Sequence, residues 1–292
     1  MRVEISKTCC LCYGAKRALD GAVEKAKEGE KVVLFKELLH NKRAVSILKN
    51  LGVQQKDNLD DLKRGDVVVI RAHGEPRETF DYLRLHEIDF LDCTCPNVKA
   101  INLLVERKNA EGYKIIIIGK YGHKTHKMHP EVYATSHYCK NPILIEDEEE
   151  IDDIDLSFPK YFLVVQTTFS SEKAQKYIKK IKEKIEGAGK IFEYRDTTCN
   201  AQHRINDDSK ELAKKVDKMI VVGGKNSSNS IELFNNLSKI KKCYFVEGLD
   251  DVKKLAEESV FSPNDFVGLT GGASTAMEEL VEIKNYLLGL FT

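Results

Sequence analysis

Cys12, Cys95 and Cys199 stand 83 and then 104 residues apart, each between a short apolar run and a helix-like stretch. Two of them share a near-identical lead-in, Asp92-Cys93-Thr94-Cys95 and Asp196-Thr197-Thr198-Cys199. The runs before these, Ile88-Asp89-Phe90-Leu91 and Ile191-Phe192-Glu193-Tyr194, read as strands. Cys12 likewise follows Val3-Glu4-Ile5 and precedes Ala15-Lys16-Arg17-Ala18-Leu19. A thiol at a strand-to-helix junction meets the positive end of the helix dipole, which favours the thiolate that metals bind. Three such thiolates from three separate segments suggest a cluster with three protein ligands and one open position. That arrangement suits chemistry on a bound substrate, whereas a purely structural site would be closed by four ligands.

Five further cysteines accompany them. Cys139 and Cys243 lie outside strand-to-helix settings and read as ordinary buried thiols. Cys9, Cys10 and Cys93 read as core or supporting neighbours of the ligand cysteines. Eight cysteines in 292 residues, behind an N-terminus (Met1-Arg2-Val3-Glu4-Ile5) with no export signature, lead us to expect a reducing cytoplasm and metal or redox chemistry. Lys+Arg and Asp+Glu balance at 46 each, so the charge gives no reason to expect a nucleic-acid partner or an anionic membrane. The longest aliphatic runs, Val67-Val68-Val69-Ile70 and residues 115–118, are far too short to cross a bilayer and fit buried parallel strands.

The elements that must position the thiols follow a repeating order of strand, polar or Gly-containing loop, then helix. Val67-Val68-Val69-Ile70 runs into Arg71-Ala72-His73-Gly74, and residues 115–118 into Gly119-Lys120-Tyr121-Gly122-His123. Residues 162–165 run into Gln166-Thr167-Thr168, and Ile220-Val221-Val222 into Gly223-Gly224-Lys225-Asn226-Ser227-Ser228-Asn229-Ser230. Residues 266–269 run into Thr270-Gly271-Gly272-Ala273-Ser274. Lys/Glu-rich amphipathic stretches lie between them, as in residues 171–187. The order predicts an α/β protein of three related α/β lobes with mostly parallel sheets, each giving one thiolate to a shared centre. We place the lobes at 1–95, 96–195 and 196–292. Ligand groups should gather at the carboxyl ends of the strands, where all these loops fall. The acidic residues 146–155 read as a solvated loop and helix start.

The loops are rich in His, Ser, Thr, Asn and Gly and poor in acids, a composition suited to phosphate oxygens. The loop at residues 223–230 fits a phosphate clamp better than a simple helix N-cap, although it lacks the Gly-Lys-Ser/Thr order of a P-loop. The Gly271-Gly272-Ala273-Ser274-Thr275 turn carries little on its own. His40 and His73 keep company with the anion loops and read as ligand contacts, whereas His86, His137 and His203 read as structural. His123, His126 and His129 form a spaced trio that fits a metal site or, better, a flexible basic loop.

Taken in order, one set of motifs spans essentially the whole chain. It comprises Cys12-Tyr13-Gly14-Ala15, Leu39-His40-Asn41, Ala72-His73-Gly74, Asp92-Cys93-Thr94-Cys95-Pro96, His129-Pro130-Glu131-Val132 and Gln166-Thr167-Thr168. Cys199, Lys225-Asn226-Ser227-Ser228-Asn229-Ser230 and Gly272-Ala273-Ser274-Thr275 complete it. The set resembles the LytB/IspH family, the 4-hydroxy-3-methylbut-2-enyl diphosphate reductases. The resemblance implies a 4Fe-4S cluster on Cys12, Cys95 and Cys199, with the fourth iron open to the substrate hydroxyl. It implies diphosphate binding by His40, His73, Ser227, Ser228, Asn229 and Ser274, with His129 in the family's histidine role. Glu131 would supply protons near the leaving hydroxyl and Thr168 would orient it, giving isopentenyl and dimethylallyl diphosphate. A ferredoxin or flavodoxin would deliver the electrons, since the chain has no flavin or nicotinamide fingerprint.

The chain departs from the family pattern in three places. Gly122-His123 and Pro130-Glu131 are separated by residues 124–129, an apparent six-residue insertion, so His123 or His129 could fill the histidine role and adjacency favours His129. After Cys199, Gln202, Ile205 and Asn206 replace the family's Thr, Arg and Gln. Cys9 and Cys10 replace the usual Gly-Phe lead-in. These changes leave room for a paralogue acting on another substrate by the same reductive elimination. A non-enzymatic metal or redox sensor is the remaining alternative, disfavoured by the intact Glu131, Thr168 and Ser227-Ser228-Asn229 set.

Overall fold

Runs of β-branched and aliphatic residues form strands that are buried on both faces, as Ile115, Ile116, Ile117 and Ile118 are. The computed structural model describes residues 1–9, 13–37, 42–123, 125–272 and 275–291, and only the backbone of residues 13, 15, 42–44, 200–203 and 228. In chain order the elements are β1 (Arg2–Ile5), α1 (Tyr13–Lys27), β2 (Val32–Phe35), α2 (Lys42–Asn50), β3 (Gln54–Lys56), β4 (Val67–Ile70), α3 (Arg77–Leu85) and β5 (Asp89–Asp92). Next come α4 (Pro96–Ala110), β6 (Lys114–Ile118), α5 (Pro130–Ser136), β7 (Ile143–Ile145), β8 (Lys160–Val165), α6 (Ser171–Gly187) and β9 (Ile191–Arg195). The chain ends with α7 (Asn200–Lys215), β10 (Lys218–Val222), α8 (Ser228–Ser238), β11 (Lys242–Val246), α9 (Leu249–Glu257), β12 (Phe266–Gly271) and α10 (Met277–Gly289).

The strands form three four-stranded sheets, and the strand pairs within them are parallel. Two have the order β3-β2-β4-β5 and β7-β6-β8-β9, in which the second strand lies outside the first and the fourth sits at the far edge. The third has the order β11-β10-β12-β1, the same arrangement with β1 in the fourth place. The register puts Arg2 opposite Phe266 and Ile5 opposite Leu269.

The three-lobed α/β reading therefore holds, but the chain divides differently from 1–95, 96–195 and 196–292. One unit joins residues 1–27 and 37–53 to 200–292, and the other comprises 28–36 and 54–199 with two of the sheets. The cause is β1, whose ladder partner is the last strand of the chain. In the first unit one sheet face packs Ile220, Leu269 and Leu280, and the opposite face packs Leu212, Met219 and Leu233. In the second, Val68, Ile70 and Leu83 fill one core, and helices cover both faces of the β6–β8 sheet. Each of the three cysteines of interest follows a fourth strand (β1, β5 or β9) and precedes a helix.

Candidate active site

In the second unit, two Asx turns build the same cradle twice. The Thr94 N–H donates to Asp92 Oδ1 at 3.0 Å, and the Thr198 N–H donates to Asp196 Oδ1 at 3.0 Å. Such a turn ends the strand and starts the helix at a fixed angle. Burial pushes the Asp92 carboxyl up, but hydrogen bonds from Lys99 and Thr94 outweigh it and hold the group below its ordinary range. Each following cysteine then donates its N–H to the loop beyond the neighbouring third strand: Cys95 to the Ala72 carbonyl at 2.9 Å, Cys199 to the Thr167 carbonyl at 2.7 Å. Cys95 is the N-cap of α4, with Pro96 at its first position, and Cys199 directly precedes α7. Both cysteines thus sit at the start of a helix. Asn97, in the first turn of α4, places its Nδ2 3.8 Å from Cys199 Sγ, so the two cysteine segments meet.

Beside Cys199 lies a buried acid. Glu131, in the first turn of α5, is 4 % exposed. Its Oε1 accepts the Thr167 N–H and its Oε2 accepts the Thr167 hydroxyl, both at 2.6 Å. Burial raises the carboxyl to about 7, and the two Thr167 hydrogen bonds pull the other way without cancelling it. A carboxyl poised there exchanges protons near neutral pH. The sequence reading put Thr168 beside the acid's target. In the structure, Thr167 meets Glu131, while the Thr168 hydroxyl takes the Gln166 Nε2 at 2.7 Å. Gln166 Oε1 in turn accepts the Lys120 N–H at 2.9 Å, tying the ends of β8 and β6 together.

His73 and His129 meet edge to face, with ring centroids 5.2 Å apart. His129 Nδ1 accepts the Glu131 N–H at 3.2 Å. That acceptance fixes the proton of the neutral ring on Nε2, which leaves Nε2 as a donor suited to an anion or hydroxyl. The His73 loop turns through Gly74 (φ 74°), where a Cβ would come within 3.1 Å of Thr94 Cγ2. Just beyond it the buried Glu75 accepts Arg71 Nε at 3.0 Å and Lys36 Nζ at 2.7 Å, which pins the loop.

Hydrogen bonds hold the described residues around the insertion. Glu146 Oε2 accepts the N–H groups of Gly122 (2.8 Å) and His123 (3.2 Å), while the His126 N–H reaches the Gly122 carbonyl and the His129 N–H the Lys120 carbonyl. His123 faces Glu150 and Asp147, while the His129 ring caps α5 by accepting the Glu131 N–H. The acidic residues after β7 serve as acceptors for this loop instead of facing only solvent.

In the first unit, Ser227 caps α8, accepting the Ser230 N–H, and the Ser230 hydroxyl donates to Ser227 Oγ at 3.0 Å. Gly223 and Gly272 close on this pair, since a Cβ on either would lie 2.3 Å from Ser230 Oγ. Thr275 Oγ1 donates to the Val222 carbonyl and anchors the Gly271-Gly272 turn. Ser227 is buried and Asn229 half-buried at the start of the same helix. Of the residues that differ from the family pattern, Ile205 is packed in the core beside Leu212 and Leu233, and Asn206 Oδ1 is buried with no partner among the described residues. Cys139 is half-buried, and burial pushes its thiol up to about 12, which suits an inert packing role.

Cys12, His40 and Ser274 lie outside the described residues, as does the Ser228 side chain. Among the described residues no three metal-ligating side chains form a cluster site. The donors that are described nevertheless suit an iron–sulfur centre: two soft thiols at equivalent helix starts, their segments linked through Asn97. Thr167 and Asn97 are the residues that sequence reasoning missed. Thr167 lies in the Gln166-Thr167-Thr168 motif beside a hydroxyl of the same type, and nothing in the sequence points to Asn97.

A family model described as LytB protein matches residues 3–288. The 4-hydroxy-3-methylbut-2-enyl diphosphate reductase of Clostridioides difficile (strain 630) is 30% identical over 293 residues, 99% of this chain and 100% of its own length. A solved structure of (E)-4-hydroxy-3-methyl-but-2-enyl diphosphate reductase, the terminal enzyme of the non-mevalonate pathway, superimposes with a TM-score of 0.74 at 31% identity, covering 99% of both chains. The E-1-hydroxy-2-methyl-but-2-enyl-4-diphosphate reductase of Plasmodium falciparum has a TM-score of 0.84 over 99% of this chain and 88% of its own, and at 23% identity it speaks for the fold alone. Repeated sheet topology, twin cysteine cradles and full-length matches lead to one conclusion: the chain belongs to the LytB protein family.

Proposed function

We propose that the chain is a 4-hydroxy-3-methylbut-2-enyl diphosphate reductase, holding a 4Fe-4S cluster on Cys12, Cys95 and Cys199 and removing the allylic hydroxyl as water. The single observation that carries the reading is Thr167. Its N–H and hydroxyl hold the buried Glu131 carboxyl, and its carbonyl holds the N–H of Cys199. One residue therefore joins a proton-holding acid to a cluster cysteine.

Losing an allylic hydroxyl as water takes two electrons and two protons. The bound cluster would supply the electrons and a Lewis-acidic iron for the leaving oxygen. Glu131, held near neutrality by burial, keeps the proton for that oxygen. Thr167 fixes the direction of the carboxyl through its N–H and its hydroxyl. Thr168, one bond further away through Gln166, sets the shape of this wall. His73 and His129 would offer ring N–H groups, and, as the family resemblance implies, Ser227, Ser228, Asn229, His40 and Ser274 would supply donors for the diphosphate. Anchoring a remote diphosphate turns binding energy into orientation at the reacting carbon. The eight cysteines and a cluster of this type suit a reducing cytoplasm, and a ferredoxin or flavodoxin suits the electron requirement.

Anaerobic purification with iron and sulfide counts, followed by dithionite-driven conversion of the hydroxylated diphosphate, tests the reading. A fully loaded cluster without turnover would overturn the substrate assignment. The residues after Cys199 favour a second reading, reductive elimination on a different substrate, because Ile205 fills core space where the family carries Arg. Restoring the family residues at 202, 205 and 206 would then raise activity on the family substrate.

A further inference from the structure

Asn97 carries an assignment that catalysis itself does not require. It is the second residue of α4, two positions after Cys95, and its side chain reaches across to Cys199 Sγ at 3.8 Å. A residue at this point of a helix usually faces water or bonds its own first turn. Asn97 is exposed, and its amide also spans the gap between the two cysteine segments, with the nitrogen end meeting the sulfur. The amide orientation has a physical reason. An anionic sulfur attracts N–H and repels the carbonyl oxygen, so only one of the two flips is favourable beside a thiolate.

We propose that Asn97 is a positioning and tuning residue for the cluster, donating its side-chain N–H to the sulfur of Cys199. The inference rests on the cluster reading given above. Adding an electron to an iron–sulfur centre places more negative charge on its sulfurs. A donated N–H therefore stabilises the reduced form more than the oxidised form, which raises the reduction potential. Because Asn97 and Cys95 share one helix start, the same contact also fixes the separation of two ligand segments.

The test compares wild type with Asn97→Leu, which keeps the bulk but removes the donor, Asn97→Asp, which replaces the donor with a charge, and Asn97→Gln, which keeps an N–H. Each protein is purified anaerobically as the holoenzyme. Iron and sulfide are counted, and the midpoint potential is read from a reductive titration followed by EPR. The expected result is full cluster content, with a lower potential in Asn97→Leu and a lower one still in Asn97→Asp. For Asn97→Leu the reduced-to-oxidised ratio at a fixed poise should fall about threefold to tenfold, tenfold being 59 mV for one electron. Asn97→Gln should stay nearer wild type. If Asn97→Leu loses its cluster, the Asp and Gln pair still decides the question, since the two differ in donor and charge and both can hydrogen-bond. Loaded variants with wild-type potentials would overturn the assignment and leave the cluster reading standing. A wild-type protein that binds no iron–sulfur cluster would overturn both.

Discussion

Thr167 donates to Glu131 from two atoms, its N–H to Oε1 and its hydroxyl to Oε2, each at 2.6 Å, and both residues are buried. Each oxygen of the acid thus has an assigned donor, and its direction is set by the same loop that holds Cys199. A group used to move protons is seldom held so rigidly unless its aim matters.

Glu131→Gln keeps size and hydrogen-bonding capacity but has no proton to lend. Turnover should fall by about 100-fold to 10,000-fold. Iron and sulfide content should match wild type. Equal turnover in the loaded variant would remove Glu131 from the proton path.

The pH dependence follows from the raised carboxyl. Glu131 gives up its proton around pH 7, so turnover that needs its acid form should decline as pH rises through that value. The Thr167 hydrogen bonds stabilise the carboxylate, so Thr167→Val should shift this decline to higher pH. A hydrogen bond to a charged group is worth about 1.5–3 kcal/mol, and 1.36 kcal/mol corresponds to one pH unit, so a shift of about one to two units is expected. The measurement is the kcat profile of both proteins, and a decline that stays in place argues for another titrating group.

Stability carries the same signature with a definite sign. Between its ordinary value of 4.5 and about 7, Glu131 is protonated when folded and ionised when unfolded. The folded chain binds more protons in that window, so stability falls as pH rises from about 4.5 to 7 and levels off above it. The loss is on the order of 3 kcal/mol, at 1.36 kcal/mol per unit for a fully buried group. Glu131→Gln should flatten that component, and denaturant midpoints of the two proteins from pH 4.5 to 8 measure the difference.

Gly223→Ala addresses the serine clamp. Its Cβ would sit 2.3 Å from Ser230 Oγ and 2.5 Å from Ser230 Cβ, so the Ser227–Ser230 pair must shift. Overpacking of this kind costs about 1–3 kcal/mol. Where that loss falls on diphosphate binding, KM should rise by about tenfold with cluster content unchanged. A KM equal to wild type would separate this loop from the diphosphate.

Asp196→Ala removes the acceptor of the Thr198 N–H and hydroxyl, the latter at 2.7 Å. The turn that leads into Cys199 loses about 1 kcal/mol of local support per hydrogen bond. Iron should leave the variant several-fold faster under a timed chelator challenge, while wild type retains it.

Much of this was legible in the sequence because local rules decide it. The Asp-x-Thr-Cys repetition encodes two Asx turns, and the β-branched runs encode buried parallel strands. What the sequence left open depends on partners far along the chain. Thr167 and Thr168 are adjacent hydroxyls of the same type, and only the packing of α5 against the end of β8 decides which one Glu131 meets. The acidic run after β7 looks solvated until Gly122 and His123 supply the N–H groups that Glu146 accepts. The lobe boundaries were displaced for the same reason: nothing around Arg2–Ile5 announces that its ladder partner is Phe266–Gly271.

That pairing of β1 with β12 also sets an order of events. β1 has no ladder until β12, about 260 residues further along, is in place, and closing so long a loop is entropically slow. The cradles of Cys95 and Cys199 lie within residues 54–199 and are complete without that ladder. The two cysteine cradles can therefore form early, on a segment whose contacts are complete before the β1 ladder closes.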